Sequence, residues 1–482
     1  MNLIVLTIDT LRQDHIGTYH KGNPVFDGIA PCKTPNINRF AEDCVVFENM
    51  YPEALPTIPA RASLFTGQRT LVSRPWQRLA DEDVSISEIL GPNGWVCGIV
   101  SDNYHFRSPN MNYHRAFHSY EWIHGQEYDP YRSSPPKHKN VDDYVNDHYD
   151  ESWRARVAQF LTNTEDFTSE DHWFAAQIAD RTVKWLSDNR SHDKIFFWVD
   201  SFDPHEPWDP PAKFDQYTDP NYSGNRLILP KGGLADDWAT HEEVNHIRGL
   251  YAGEVESVDH ALGRVFATLE QEGYFEDSIV VLIGDHGMPL GDHGKFLKGV
   301  DRLYNELLKV PFMIRMPNGK HGGRTVQALC QFNDFMPTIL DLMGMDNCIE
   351  YLPGKSFAKI ITGNVENHRH SIMTGYYDGQ DRAIRTNEWN LIIRPPNQQH
   401  ELYNQHQDPR ESTNLASANP DLVTELIAKY GSIYYGSAWP GQNKLAMPLF
   451  VQRAIGDHAL QQRGINVLGI PGEYGVNIDH QQ

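Results

Sequence analysis

Apolar runs of strand length recur along the chain, and most of them end on carboxylates or other polar residues. Asn2 to Ile8 is a short β-branched run that stops at Asp9, and Val96 to Val100 runs into Ser101-Asp102-Asn103-Tyr104-His105. Ile195 to Val199 leads through Asp200 to Asp203-Pro204-His205-Glu206-Pro207-Trp208, Ser278 to Ile283 delivers Gly284-Asp285-His286-Gly287, and Val310 to Met316 follows. Continuous apolar runs of this length predict strands buried on both faces, as in a parallel sheet. Open α/β sheets hold their ligands beyond the carboxyl ends of the strands, so the polar residues at those ends are the first candidates for chemistry. Helical patterns lie between the runs. One stretch carries Ile178, Trp185 and Leu186 on one side, and Glu242 to Glu270 carries Leu250, Val258, Leu262, Val265 and Leu269 near one face with Gly273 as its stop. Ser119 to Phe167 is polar, rich in aromatics and without clear period, which predicts a loop insertion beside the site.

One further stretch stands apart. Thr57 to Gly67 reads TIPARASLFTG: a hydroxyl residue before a proline, an arginine one turn on, then residues suited to a helix. Proline is tolerated in a first helical turn, and free N–H groups and the helix dipole favour an anion there. Thr57 therefore fits a nucleophile that attacks an oxyanion, with Arg61 reaching back to it and to a bound phosphoryl or sulfuryl oxygen. It equally fits an ordinary N-cap threonine followed by a surface arginine.

Composition narrows the classes. The 482 residues, 40% of them hydrophobic, suffice for one large α/β domain and a smaller one. A net charge of −22 argues against nucleic acid and anionic membrane as partners, so an anionic substrate must be drawn by a local basic site. The five cysteines lack metal-like spacing and suit a reducing compartment; with only a short apolar run at the N-terminus, a cytoplasmic protein is expected.

TIPARASLFTG resembles the signature of the sulfatase family, within the alkaline phosphatase superfamily, in which a cysteine or serine followed by x-P-x-R leads into a helix. In that family the first residue is oxidised to formylglycine, whose hydrate attacks sulfur. Thr57 stands there in this chain, and threonine has no primary carbon to give an aldehyde. Further motifs follow the family's order. The DPHEPW run resembles the segment whose histidine protonates the leaving group. The succession DHG, LGDHG, Lys298, YNELLKVPFMIR resembles its metal-binding and substrate-binding region, and LYNQHQDPRESTNLA from Leu402 resembles its LYDLxxDPxExxNLA. The resemblance runs from residue 2 to about 417. It implies an α/β sheet sandwiched by helices over residues 1–367, with a C-terminal subdomain and tail over 368–482 containing a small antiparallel sheet.

The resemblance also implies a site. Asp9, the Thr57 oxygen, Asp285 and His286 would hold one divalent ion, manganese, calcium or zinc; the family's second aspartate is Thr10 here. Arg61, Lys298 and His293 would clamp the ester oxygens, His105 would bind the anion, and Asn103 replaces a lysine. His205 would be the general acid, since a histidine with a pKa near working pH suits a departing alkoxide. A second metal at Asp203, His205 and His293 is the weaker arrangement. A threonine ester must wait for water to attack the central atom, and phosphothreonine turns over in this way in relatives with threonine nucleophiles. A hydrolase of phosphate or phosphonate esters, diesters first, is therefore expected, with a sulfatase or an inactive anion-binding relative as alternatives. The expected partner is a small anionic ester, and the tail beyond about Gly436 is compatible with a subunit interface.

Overall fold

The computed structural model describes residues 1–71, 74–106, 111–348 and 352–431. The expectations for the tail beyond Gly436 lie outside these residues. The predicted apolar runs form the centre of a nine-stranded sheet. Its order is Arg324–Val326, Val45–Tyr51, Val310–Arg315, Ser278–Gly284, Asn2–Ile8, Ile195–Ser201, Val96–Ser101 and Ser119–Trp122, with Cys330–Gln331 also paired to Val45–Tyr51. Asn2–Ile8 is parallel to both neighbours and buried at every residue. Its side chains alternate: Ile4, Leu6 and Ile8 enter one core, Leu3 and Val5 the other. A strand with two buried faces must be apolar throughout, because each face meets helices. Each such side chain contributes about 1.5–3 kcal/mol on burial. Val310–Arg315 runs antiparallel to both of its neighbours, so the sheet is mixed.

Helices cover both faces. His241–Gln271, Phe174–Asn189 and Pro35–Glu42 pack on one side, and Thr57–Thr66, Ile86–Leu90 and Phe335–Leu342 on the other. The long helix starts with a capping box between Thr240 and Glu243, which satisfies orphan N–H groups at its first turn. The segment expected to be a structureless insertion differs from that expectation. Ser119–Trp122 adds the sheet's edge strand, and Glu151–Asn163 is a helix capped by Asp150 with Val157, Phe160 and Leu161 in the core. Its apolar residues are too sparse for a visible period, and the packing decides.

A second sheet joins Ile372–Tyr376, Arg382–Arg385, Trp389–Ile393 and Glu401–Asn404 in antiparallel order. Ala54–Leu55 extends it as a parallel edge strand just ahead of Thr57. The smaller sheet thus braces the segment that leads into the candidate nucleophile. Among the described residues no helix is long and apolar enough to cross a membrane.

Candidate active site

Strand register assembles the site. Ile8 pairs with Ser201 on one side and Gly284 on the other, and Ser101 pairs with Asp200. Adjacent parallel strands therefore finish level and deliver Asp9, Asp200, Asp285 and Asn103 to one edge, where neighbouring chains stand about 4.8 Å apart. Thr57–Thr66 begins over that edge. It is buried at every residue, starts after Pro56 and ends at Gly67, whose φ of 65° is the left-handed cap geometry glycine adopts freely. Thr57 is thus the first helical residue, not its cap, and its Oγ1 lies 3.4 Å from His286 Nε2.

Arg61 departs from its expected role. Its guanidinium is fully buried and donates bidentately to Asp200, with both bonds at 2.8 Å. It also pairs with Asp285 and lies 3.1 Å from Asp9. The arginine expected to clamp ester oxygens is instead surrounded by carboxylates, because a buried cation demands counter-charges at the strand ends. Asp200, which the sequence reading passed over, is its principal anchor. The available signal was its place at the end of a buried strand.

Asp285 Oδ1 accepts hydrogen bonds from the backbone N–H groups of Thr10 at 2.9 Å and His286 at 2.7 Å. Against the burial that would lift it, Asp285 is held below the usual carboxylate range by His286, Arg61 and those N–H groups. Asp9 is pushed well above that range by burial and then by Asp285. His286 falls to about 4, because burial and the nearby Lys298 outweigh Asp285. It is a neutral imidazole whose Nδ1 faces the Gly287 carbonyl at 2.9 Å, leaving Nε2 toward Thr57. A side chain at Gly287 would collide with the Glu306 carbonyl, so the turn that aims His286 requires glycine.

These residues fit a divalent cation. Ligand atoms of Asp9, Asp285 and His286 lie within 4.8 Å of one another. Both carboxylate oxygens of Asp9 and the Thr10 hydroxyl are buried without a hydrogen-bond partner. Unpartnered buried oxygens are costly, and a hard cation would satisfy them. Thr10 also has φ 53°, a strained conformation for a β-branched residue of the kind that concentrates at functional sites.

Across the cleft, Lys298 Nζ lies 2.6 Å from His205 Nε2 and 3.6 Å from Glu206 Oε1, while His205 Nδ1 faces the Glu206 carbonyl at 2.7 Å. Burial and Lys298 pull His205 well below the usual histidine range. The ring is neutral, contrary to the expectation of a pKa near working pH. His105 is lowered to about 3 by burial, Lys298 and Arg61, and its Nε2 stands 3.7 Å from Glu127. Asn103 is buried with its amide 3.4 Å from Asp200.

His293 does not join this group. It pairs with Glu306 at 2.7 Å, faces the Glu411 carbonyl at 3.0 Å and stacks on Tyr304, between the larger and smaller sheets. Its predicted contact with the anion is therefore corrected. The sequence LGDHG carries no mark of this, because its aspartate and histidine are the same ligand types as those of DHG. Asp203 is likewise engaged by Gln126 and the Ala175 N–H, which removes the weaker two-metal arrangement. Glu127 and Glu206, which the sequence reading did not single out, line the cleft with His205.

Buried acidic strand ends of a mixed sheet thus lie under a helix that opens on a hydroxyl. The sulfatase family model matches residues 1–345, and the model for the N-sulphoglucosamine sulphohydrolase C-terminal region matches 291–430; the chain belongs to the sulfatase family. An arylsulfatase of Clostridium perfringens is 24% identical over 89% of this chain and 94% of its own length. The multifunctional alkaline phosphatase superfamily protein PehA of Trinickia caryophylli is 24% identical over 71% of this chain and 74% of its own. In fold, the chain is similar to the phosphonate monoester hydrolase of Agrobacterium radiobacter, with a TM-score of 0.69, 20% identity and coverage of 90% and 96% of the two chains.

Proposed function

We propose that this enzyme hydrolyses phosphorus esters, phosphodiesters and phosphonate esters ahead of phosphomonoesters, with Thr57 as nucleophile. The observation that carries this reading is the Thr57 hydroxyl at the start of a buried helix, 3.4 Å from His286, over the carboxylates of Asp9 and Asp285. Threonine cannot become formylglycine, so release of product by collapse to an aldehyde is closed to it. The Thr57 oxygen attacks phosphorus, the bond to the leaving oxygen breaks, and the Lys298–His205 pair returns a proton to that oxygen. Water then attacks the phosphothreonine and restores Thr57. When bound, a divalent ion held by Asp9, Asp285 and His286 would lower the pKa of the hydroxyl and stabilise charge on the ester oxygens. Asn103, uncharged where the family pattern has a lysine, suits an ester with less negative charge than a dianion.

Sulfuric ester hydrolysis is the second reading, supported by relatives such as the C. perfringens arylsulfatase. Initial rates on matched aryl sulfate, aryl phosphate and aryl phosphodiester, with manganese, calcium or zinc added, separate the two. Metal-dependent turnover of the phosphorus esters, absent from Thr57→Ala, is the expected result. A preference for the sulfate, or full activity in Thr57→Ala, would overturn it.

A further inference from the structure

Beside His205 the cleft carries two acidic side chains that the reaction does not use. The side chains of Glu127 and Glu206 are 8% and 5% exposed, and Oε2 of each is buried without a hydrogen bond. With a nitrogen of His205, their oxygens lie within 4.8 Å of one another. His205 meets only Glu206: its Nδ1 faces the Glu206 carbonyl at 2.7 Å and stands 3.2 Å from Glu206 Oε2, while its Nε2 faces Lys298. Lys298 approaches only the other oxygen of Glu206, and the ester anion also needs that ammonium. Among the described residues Arg156 also lies on this side, and it stacks on Tyr128 and Trp153, 4.9 Å from each ring. Tyr104 and Tyr128 wall the same side, with ring centroids 5.5 Å apart.

Two buried carboxyl groups within 4.8 Å of one another, met otherwise by the Tyr104 hydroxyl, the His105 ring at 3.7 Å and one shared lysine, suit a cation that brings its own N–H donors. Resting on the reading above, in which His205 marks the leaving-group side, we propose that the alcohol released by this enzyme carries a protonated primary amine seated between Glu127 and Glu206. A primary ammonium has three donors, enough for both oxygens, and the tyrosine faces add cation–π attraction. A hard metal ion is the competing occupant, since carboxylates are its ligands, and the metal content of Glu127→Gln separates the two. Burial and then Glu206 push Glu127 up to about 8 against Lys298 and the Tyr104 hydrogen bond, and a further cation would favour its ionised form.

The test compares 2-aminoethyl with propyl esters of phosphate, methylphosphonate and sulfate on the metal-loaded enzyme. It is paired with calorimetric binding of 2-aminoethanol and 1-propanol. The aminoethyl ester should lead in kcat/KM by roughly 10–100-fold, the range of charge-assisted hydrogen bonds, with that ratio reduced in Glu127→Gln and in Glu206→Gln. 2-Aminoethanol should bind the wild type and weaken in both variants, while 1-propanol should not bind. Equal kcat/KM for the two wild-type esters overturns the amine site and leaves the hydrolase reading standing. Binding of 2-aminoethanol that weakens in both variants, with no ester turned over, keeps the amine site and removes that reading. Binding that is absent or unchanged in the variants overturns the amine site, as does loss of one metal ion per chain from Glu127→Gln.

Discussion

Asp285-His286-Gly287 and Asp292-His293-Gly294 are the same three residues a few positions apart, yet they do opposite things. In the first triplet the aspartate reaches Arg61, and burial and then the charge of Lys298 bring the imidazole down to about 4, so it keeps a free lone pair. In the second the aspartate holds Arg12 with bonds of 2.8 and 2.9 Å. Its histidine, despite burial, is raised to about 9 by the hydrogen bond and charge of Glu306 and then by the Glu411 carbonyl. One triplet sits at the end of a buried strand facing cations; the other sits where the smaller sheet docks, facing an acid. Environment, not residue type, sets which histidine is a ligand and which is a cationic strut.

The largest effects should separate the triplets in turnover. Thr57→Ala and His286→Asn are each expected to lower kcat by at least about a thousandfold, since they remove the nucleophile or a ligand beside it. His293→Asn should stay within about tenfold of wild type on the same ester, because its side chain touches neither. Steady-state kinetics at saturating metal, with circular dichroism confirming the fold, gives the comparison. A His293→Asn variant as inactive as His286→Asn would break it.

Next in size are the arginines the two aspartates hold. Arg61 and its partners Asp9, Asp200 and Asp285 are all fully buried, so Arg61→Met leaves buried like charges unpaired and should cost about 3–5 kcal/mol of stability. Arg12 is equally buried, but the side chains of Asp14 and Asp292 are 45% and 17% exposed, and water can solvate what Arg12→Met abandons. A loss of about 1–3 kcal/mol is expected there. Denaturant unfolding of the two variants ranks them, and a larger loss for Arg12→Met would contradict the burial argument.

The frame of the molecule was legible in the sequence because its signal is local. Asn2–Ile8 and Ser278–Gly284 are apolar at consecutive positions, which only a doubly covered strand tolerates, and their terminal carboxylates fall where such sheets place ligands. The edge strand Ser119–Trp122 was not legible, since Ser119, Tyr120 and Glu121 are exposed and no period marks it. The site was legible in its residue types but not in its pairings. That Arg61 would turn to Asp200, or that His293 would leave the cleft for Glu306, depends on contacts between segments far apart in the chain. Glu127 sits in the aperiodic segment, and nothing before the fold distinguished it from its acidic neighbours.

The smallest expected effect tests the second triplet by pH. His293 has a folded pKa raised to about 9, so its pairing with Glu306 contributes fully below the unfolded histidine value of about 6.5 and is lost as pH rises through 9. The side chain is 20% exposed, and burial lifts Glu306 as well, so the contribution is set at about 2 kcal/mol, below what the whole shift would give. Thermal unfolding of the wild type between pH 6 and 9.5 should therefore show a decline of a few degrees that His293→Asn lacks, because asparagine does not titrate. His286→Asn should keep the wild-type decline: its imidazole is already neutral across that window, and removing it takes away no proton that alkali would. If the two variants lost the decline equally, the triplets would not differ as their surroundings say they do, and the strut assigned to His293 would have to be shared with the cleft.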